Sequence, residues 1–142
     1  MALHKAILKQ VEGLTFVGKT DSNFWVPIDA AESIGGSDAG IRPKEMLLLS
    51  LAGCTAMDVA SILKKKRVPL DNFNIEVSAD MTDEHPKVYT KIHLEYVFYG
   101  KDIKESDVER AIELSLTKYC GVTAMLEKAL TIEHTFRIEE KK

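Results

Sequence analysis

The stretch from Pro43 to Leu63 constrains this chain more than any other. It reads as one long, almost wholly buried helix. Pro43 suits a first helical turn, where the missing N–H is not needed, and Glu45 suits the positive end of the helix dipole. Pro69 ends the helical pattern. The middle is apolar on more than one face, whereas an ordinary surface helix carries a single stripe. Both faces therefore need cover. In a chain of 142 residues one sheet can cover one side, and the other is expected to meet a partner subunit. Ser50, Gly53, Asp58 and Ser61 interrupt the run, which argues for a core helix, because a membrane span needs about 20 mostly apolar residues.

Cys54 lies deep in this helix, and Cys120 is the only other cysteine. A free thiol on a buried helix usually behaves as a small hydrophobe; chemistry requires exposure and thiolate character. From the residues alone both readings stay open. The segment Met1-Ala2-Leu3-His4-Lys5 lacks the apolar core and cleavage site of a signal peptide, so a cytoplasmic location is expected. Stable disulfides are uncommon in that compartment, and a cysteine pair there is reduced, buried or transiently redox-active.

The length fits one domain spanning residues 1–142, large enough to form a core without disulfide staples. A net charge of -3 argues against nucleic-acid binding, which needs a concentrated positive surface. The cluster Lys64-Lys65-Lys66-Arg67 falls where the long helix should end, and cations are favoured there.

Short β-like runs precede the helix: His4 to Val11, Leu14 to Thr20 and Asn23 to Ile28, with turn composition at Glu12-Gly13 and Asp21-Ser22-Asn23. Pro27 should lie at an edge or a strand end. Glu32 to Gly40 is rich in glycine and small polar residues and reads as a flexible loop. Beyond Pro69, Phe73 to Asp80 and Val88 to Tyr99 alternate as strands around the turn Asp83-Glu84-His85-Pro86. Ile103 to Thr117 has helical spacing, with Ser106 and Glu109 as a capping box. A short helix from Val122 to Leu130 and a strand from Thr131 to Ile138 close the chain. Blocks of strands alternating with helices define an α+β fold with antiparallel sheet.

Pro43 to Leu63, with its Ala52-Gly53-Cys54 centre, together with Lys118-Tyr119-Cys120-Gly121-Val122, resembles the OsmC/Ohr superfamily over nearly the whole chain. The resemblance implies antiparallel sheets wrapped around the central helix in an intertwined homodimer that reduces organic hydroperoxides. It makes Cys54 the peroxidatic thiolate, Cys120 the resolving thiol and Glu45 an acid of the site. It implies no resident cofactor or metal; an external dithiol, lipoyl-type in relatives, would be the reductant. Neither nucleic acid nor membrane is an expected partner.

Two departures accompany the likeness. Active relatives use an arginine from the early strands, yet the first 41 residues here contain none, leaving Lys19 or Arg42, and a lysine cannot reproduce a planar guanidinium fork. The relatives' acid directly follows the proline, where this chain has Lys44, so Glu45 stands one place later. On one helix, Glu45 lies about 13 to 14 Å and about half a turn from Cys54, so a shared site would need the partner subunit.

The electrostatics of the two thiols also differ. Cys120 precedes a short helix, whose dipole should favour its thiolate, with Lys118 nearby; Asp58, one turn beyond Cys54, opposes an ionised neighbour. Four scattered histidines match no zinc spacing, and Gly35-Gly36 lacks the lysine of a phosphate loop. The rival expectation is a non-catalytic member of the same fold that binds a small apolar ligand or a partner at the dimer interface.

Overall fold

In the computed structural model, which describes residues 2–140, the central helix α1 runs from Glu45 to Lys65. Met1, the first residue of the N-terminal segment read above, lies outside the described residues. The chain forms two compact units, Met1–Leu47 and Leu48–Lys142, divided within α1.

The first unit is an antiparallel meander of β1 (Ala6–Glu12), β2 (Thr15–Thr20) and β3 (Val26–Ile28), in that spatial order. Gly13 turns the first hairpin at φ +57°, a conformation that favours glycine. Pro27 lies on the edge strand β3, as expected for a residue that cannot donate to an inner ladder.

The glycine-rich segment that follows is tethered rather than loose. Buried Asp29 accepts hydrogen bonds from the Thr15 hydroxyl at 2.7 Å and from the amides of Ala30, Ser37 and Ala39 at 2.7, 3.2 and 3.2 Å. The Thr15 bond, reinforced by those amides against the effect of burial, holds its carboxyl down at about 2. Gly36 is required by close approach: a Cβ there would sit 2.0 Å from the Ala30 carbonyl oxygen.

In the second unit, β4 (Asn72–Met81) pairs with β5 (Tyr89–Tyr99) in antiparallel fashion, and β5 pairs with β6 (Thr131–Glu139) in parallel. The sheet is therefore mixed, not wholly antiparallel. Strand alternation reports which face is buried but carries no direction, and the helical connection from β5 to β6 returns the chain to the same end of the sheet. Alternate residues of β5, Ile92, Leu94, Tyr96 and Phe98, are fully buried. They form one core with Leu51, Val59 and Leu63 of α1 and with Val108, Ala111 and Ile112 of α2 (Glu105–Leu114). Each fully buried Leu, Ile, Val or Phe among them contributes about 1.5–3 kcal/mol by leaving water.

Helix α1 departs from the wholly buried expectation. Its buried residues are Leu51, Thr55, Val59 and Leu63, spaced by four along one stripe, whereas Leu49 and Met57 are 62% and 75% exposed. A single stripe is all that one chain's core can cover, so the apolar residues on the other faces stay open. By length and composition α1 could cross a membrane, yet its buried stripe is packed into the protein core. Lys64 and Lys65 occupy its last turn, as expected for cations, and Arg67 at φ +57° turns the chain away.

The expected capping box of α2 does not form. The helix starts at Glu105, so Ser106 is already inside it; Lys104 stands at the cap and provides no side-chain bond. Charge compensates, since Glu105 and Asp107 both lie in the first turn.

Candidate functional site

Cys54 is half-buried beside the core, whereas Cys120 is 4% exposed and part of it. Both are free thiols, and their side chains lie within hydrogen-bonding reach of one another. Two cysteines far apart in sequence are thus neighbours in space.

The meeting depends on an irregular turn. After α2 the chain widens into a single π-helical turn, Ser115–Tyr119, and the Cys120 amide closes it by donating to the Ser115 carbonyl at 2.7 Å. Such π-turns occur disproportionately at functional sites. Cys120 then caps α3 (Gly121–Leu126), its sulfur accepting the Thr123 amide at 3.4 Å.

The expectation of a dipole-favoured Cys120 thiolate is overturned. Burial pushes this thiol up, and the Cys54 thiol beside it adds to the effect; Thr123, the opposing influence, is outweighed. A six-residue helix has too small a dipole to offset the loss of water around a sulfur this enclosed. The Thr123 hydroxyl is buried beside the Cys120 sulfur, a weak acceptor, and finds no stronger partner.

Next to Cys54, Thr55 interrupts the apolar stripe of α1 with a fully buried hydroxyl. It lies 2.8 Å from the Tyr96 hydroxyl on β5 and 2.7 Å from the Ser115 hydroxyl, which donates to Asp58 at 2.9 Å. Asp58, expected above as a charge facing Cys54, is engaged by Ser115. Burial pushes the Tyr96 phenol up to about 12, with Thr55 acting the other way.

Sequence reasoning missed Thr55, Tyr96, Ser115 and Thr123. The available signal was positional: Thr55 and Tyr96 fall on the buried stripe of α1 and the inward alternation of β5, and a hydroxyl at a core position has to find a partner.

The other expected residues are engaged locally. Lys19 donates to Asn23 Oδ1 at 2.9 Å and sits 4.9 Å from the centre of the Trp25 ring. Arg42 pairs with Asp38 at 2.7 Å and donates to the Gly40 carbonyl. Glu45 is the first residue of α1, a favourable position for its charge.

A long helix and two small sheets, with a helix-borne cysteine meeting a second one after a π-turn, define a paired-thiol protein of α+β class. Residues 35–135 match the family described as OsmC-like protein, and the chain belongs to that family. It is 37% identical to Protein YhfA of Escherichia coli K12 over 134 residues, covering 94% of this chain and 97% of that protein. A crystal structure of a hypothetical protein from Aquifex aeolicus VF5 matches all of both chains, with a TM-score of 0.86 and 30% identity. The organic hydroperoxide resistance protein OhrB of Bacillus subtilis, with a TM-score of 0.67 over 96% of this chain and 98% of that one, shares the fold at 12% identity.

Proposed function

We propose that this protein is a cysteine-based thiol peroxidase that reduces organic hydroperoxides to alcohols in the cytoplasm, as part of oxidative-stress defence. The observation that carries this reading is the meeting of the Cys54 and Cys120 thiols. Half-buried Cys54 is the more reachable sulfur, which supports the peroxidatic role for it and leaves the resolving role to buried Cys120.

The Cys54 thiolate attacks the distal oxygen of the hydroperoxide. The O–O bond breaks, the alkoxide takes up a proton and leaves as alcohol, and Cys54 becomes a sulfenic acid. The Cys120 sulfur then forms an S–S bond with Cys54; the displaced hydroxyl and the Cys120 proton leave as water. An external dithiol, lipoyl-type in chemistry, returns both thiols by exchange and is itself oxidised. No resident cofactor enters the cycle.

The active unit is a homodimer in this reading, supported by the exposed Leu49 and Met57 on α1. The partner subunit would bring Glu45 toward Cys54 and supply the compensating cation.

The test mixes reduced protein with cumene hydroperoxide and follows peroxide consumption. Wild type consumes about one equivalent without reductant and turns over with a dithiol; Cys54→Ser consumes none. Consumption independent of Cys54 contradicts the assignment.

A second reading, a non-catalytic protein that binds a small apolar ligand, is favoured by a pocket of about 380 Å³ in the first unit, lined by Ile7, Leu8, Phe24, Val26, Ile28 and Met46. Ligand binding unaffected by Cys54→Ser, with no peroxide consumption by wild type, would favour it.

A further inference from the structure

The hydroxyls beside the two thiols form a chain with only one possible direction. The Ser115 hydroxyl spends its single proton on the Asp58 carboxylate at 2.9 Å. Its 2.7 Å contact with Thr55 therefore uses the Thr55 proton. Thr55 must in turn accept from Tyr96 at 2.8 Å. Protons run from Tyr96 through Thr55 and Ser115 to Asp58, and each hydroxyl in the chain is used once. Reversing any link leaves a buried donor or acceptor unmatched, which costs about 1–3 kcal/mol.

This chain connects the two cysteines. Thr55 follows Cys54 directly on α1, and Ser115, which accepts from Thr55 through its side chain, accepts the Cys120 amide through its carbonyl at 2.7 Å. The neighbours of Thr55 along the stripe, Leu51 and Val59, offer only non-directional apolar contact. The hydroxyl chain is the directional tie between the helix that carries Cys54 and the turn that ends in Cys120.

We propose that Thr55 is a positioning residue which, acting through Ser115, sets the approach of the Cys120 sulfur to Cys54 and so governs closure of the disulfide. The inference rests on the reading of the pair as redox partners, and it concerns the second step of the cycle alone. Closure depends steeply on such geometry, because an ångström of misplacement can cost on the order of 100-fold in rate.

The experiment equilibrates wild type, Thr55→Val and Thr55→Ser with glutathione redox buffers and measures the fraction in the Cys54–Cys120 disulfide by mass spectrometry, without peroxide. Thr55→Val, which keeps the volume and loses the hydroxyl, lowers the equilibrium constant for the disulfide at least about tenfold, a rise of about 30 mV in reduction potential. Thr55→Ser, which keeps the hydroxyl, stays within about twofold of wild type, an outcome that loss of packing alone would not give. Ser115→Ala, read in the same way, reproduces the Thr55→Val shift and serves if Thr55→Val does not fold. Wild-type potentials in both hydroxyl-free variants overturn the positioning role while leaving the peroxidase reading intact. No Cys54–Cys120 disulfide in wild type under any buffer overturns both.

Discussion

The Cys54 and Cys120 thiols lie within hydrogen-bonding reach of each other, one half-buried on α1 and the other enclosed in the core. This asymmetry predicts an order of reaction. In the reduced protein, iodoacetamide labels Cys54 before Cys120, because access and thiolate character together set thiol reactivity and Cys120 has little of either. Peptide mapping of a labelling time course should show at least about a tenfold difference in rate. Faster labelling of Cys120 would reverse the assigned roles.

Thr123 is a site where loss of a polar group should help the fold. Its hydroxyl is buried with the Cys120 sulfur, a weak acceptor, beside it, so Thr123→Val exchanges a poorly matched hydroxyl for a methyl group at nearly constant volume. Stability in urea should be unchanged or raised by up to about 1 kcal/mol. The same change removes a group that favours the Cys120 thiolate, so this thiol should titrate higher in the variant, measured by absorbance at 240 nm in a Cys54→Ser background. A loss of stability would show that the contact with the Cys120 sulfur outweighs the desolvation of the hydroxyl.

Tyr96 predicts a response to alkali. Its folded value of about 12 lies above the ordinary 10.0, so its contribution to stability is full below pH 10 and disappears as the pH rises toward 12. Tyr96→Phe removes the first donor of the hydroxyl chain at a cost of about 1 kcal/mol, because Thr55 keeps its bond to Ser115. Denaturation midpoints between pH 9 and 12 should fall more steeply for wild type than for this variant. Parallel curves would contradict the assignment.

Asp29 predicts the acid response. Its carboxyl, held at about 2 against an ordinary 3.8, contributes stability that is full above that ordinary value and is lost as the pH falls through 2. Asp29→Asn keeps the shape but loses the charge that gathers the amides of Ala30, Ser37 and Ala39. Hydrogen exchange across residues 30–39 should be faster in the variant at neutral pH, and should quicken in wild type only toward the acid end. Equal protection in both proteins would show that the loop is held by other contacts.

Much of this was legible in the sequence because it follows from periodicity. The long helix, the β4–β5 hairpin, the edge position of Pro27 and the cations ending α1 each rest on a local pattern. The parallel pairing of β6 is not local, since strand alternation has no direction. The capping box at Ser106 failed because the cap falls two residues earlier, at Lys104, with Glu105 and Asp107 supplying charge in place of a side-chain cap.

At the candidate site, family likeness singled out Cys54 and Cys120, but the hydroxyls that join them left no spacing signal. Thr55, Tyr96 and Ser115 come from three separate elements and become a unit only when the core closes. The enclosure of Cys120 was misjudged for a related reason: a helix terminus can be read from sequence, whereas burial of the sulfur is a property of the packed structure.

The most direct measurement is to add one equivalent of cumene hydroperoxide to the reduced protein, quench within seconds and map the disulfides by mass spectrometry. The account predicts a Cys54–Cys120 linkage formed in step with release of cumyl alcohol, with a Cys54 sulfenic acid trapped by a dione reagent in Cys120→Ser. Two unmodified thiols beside intact peroxide would contradict it.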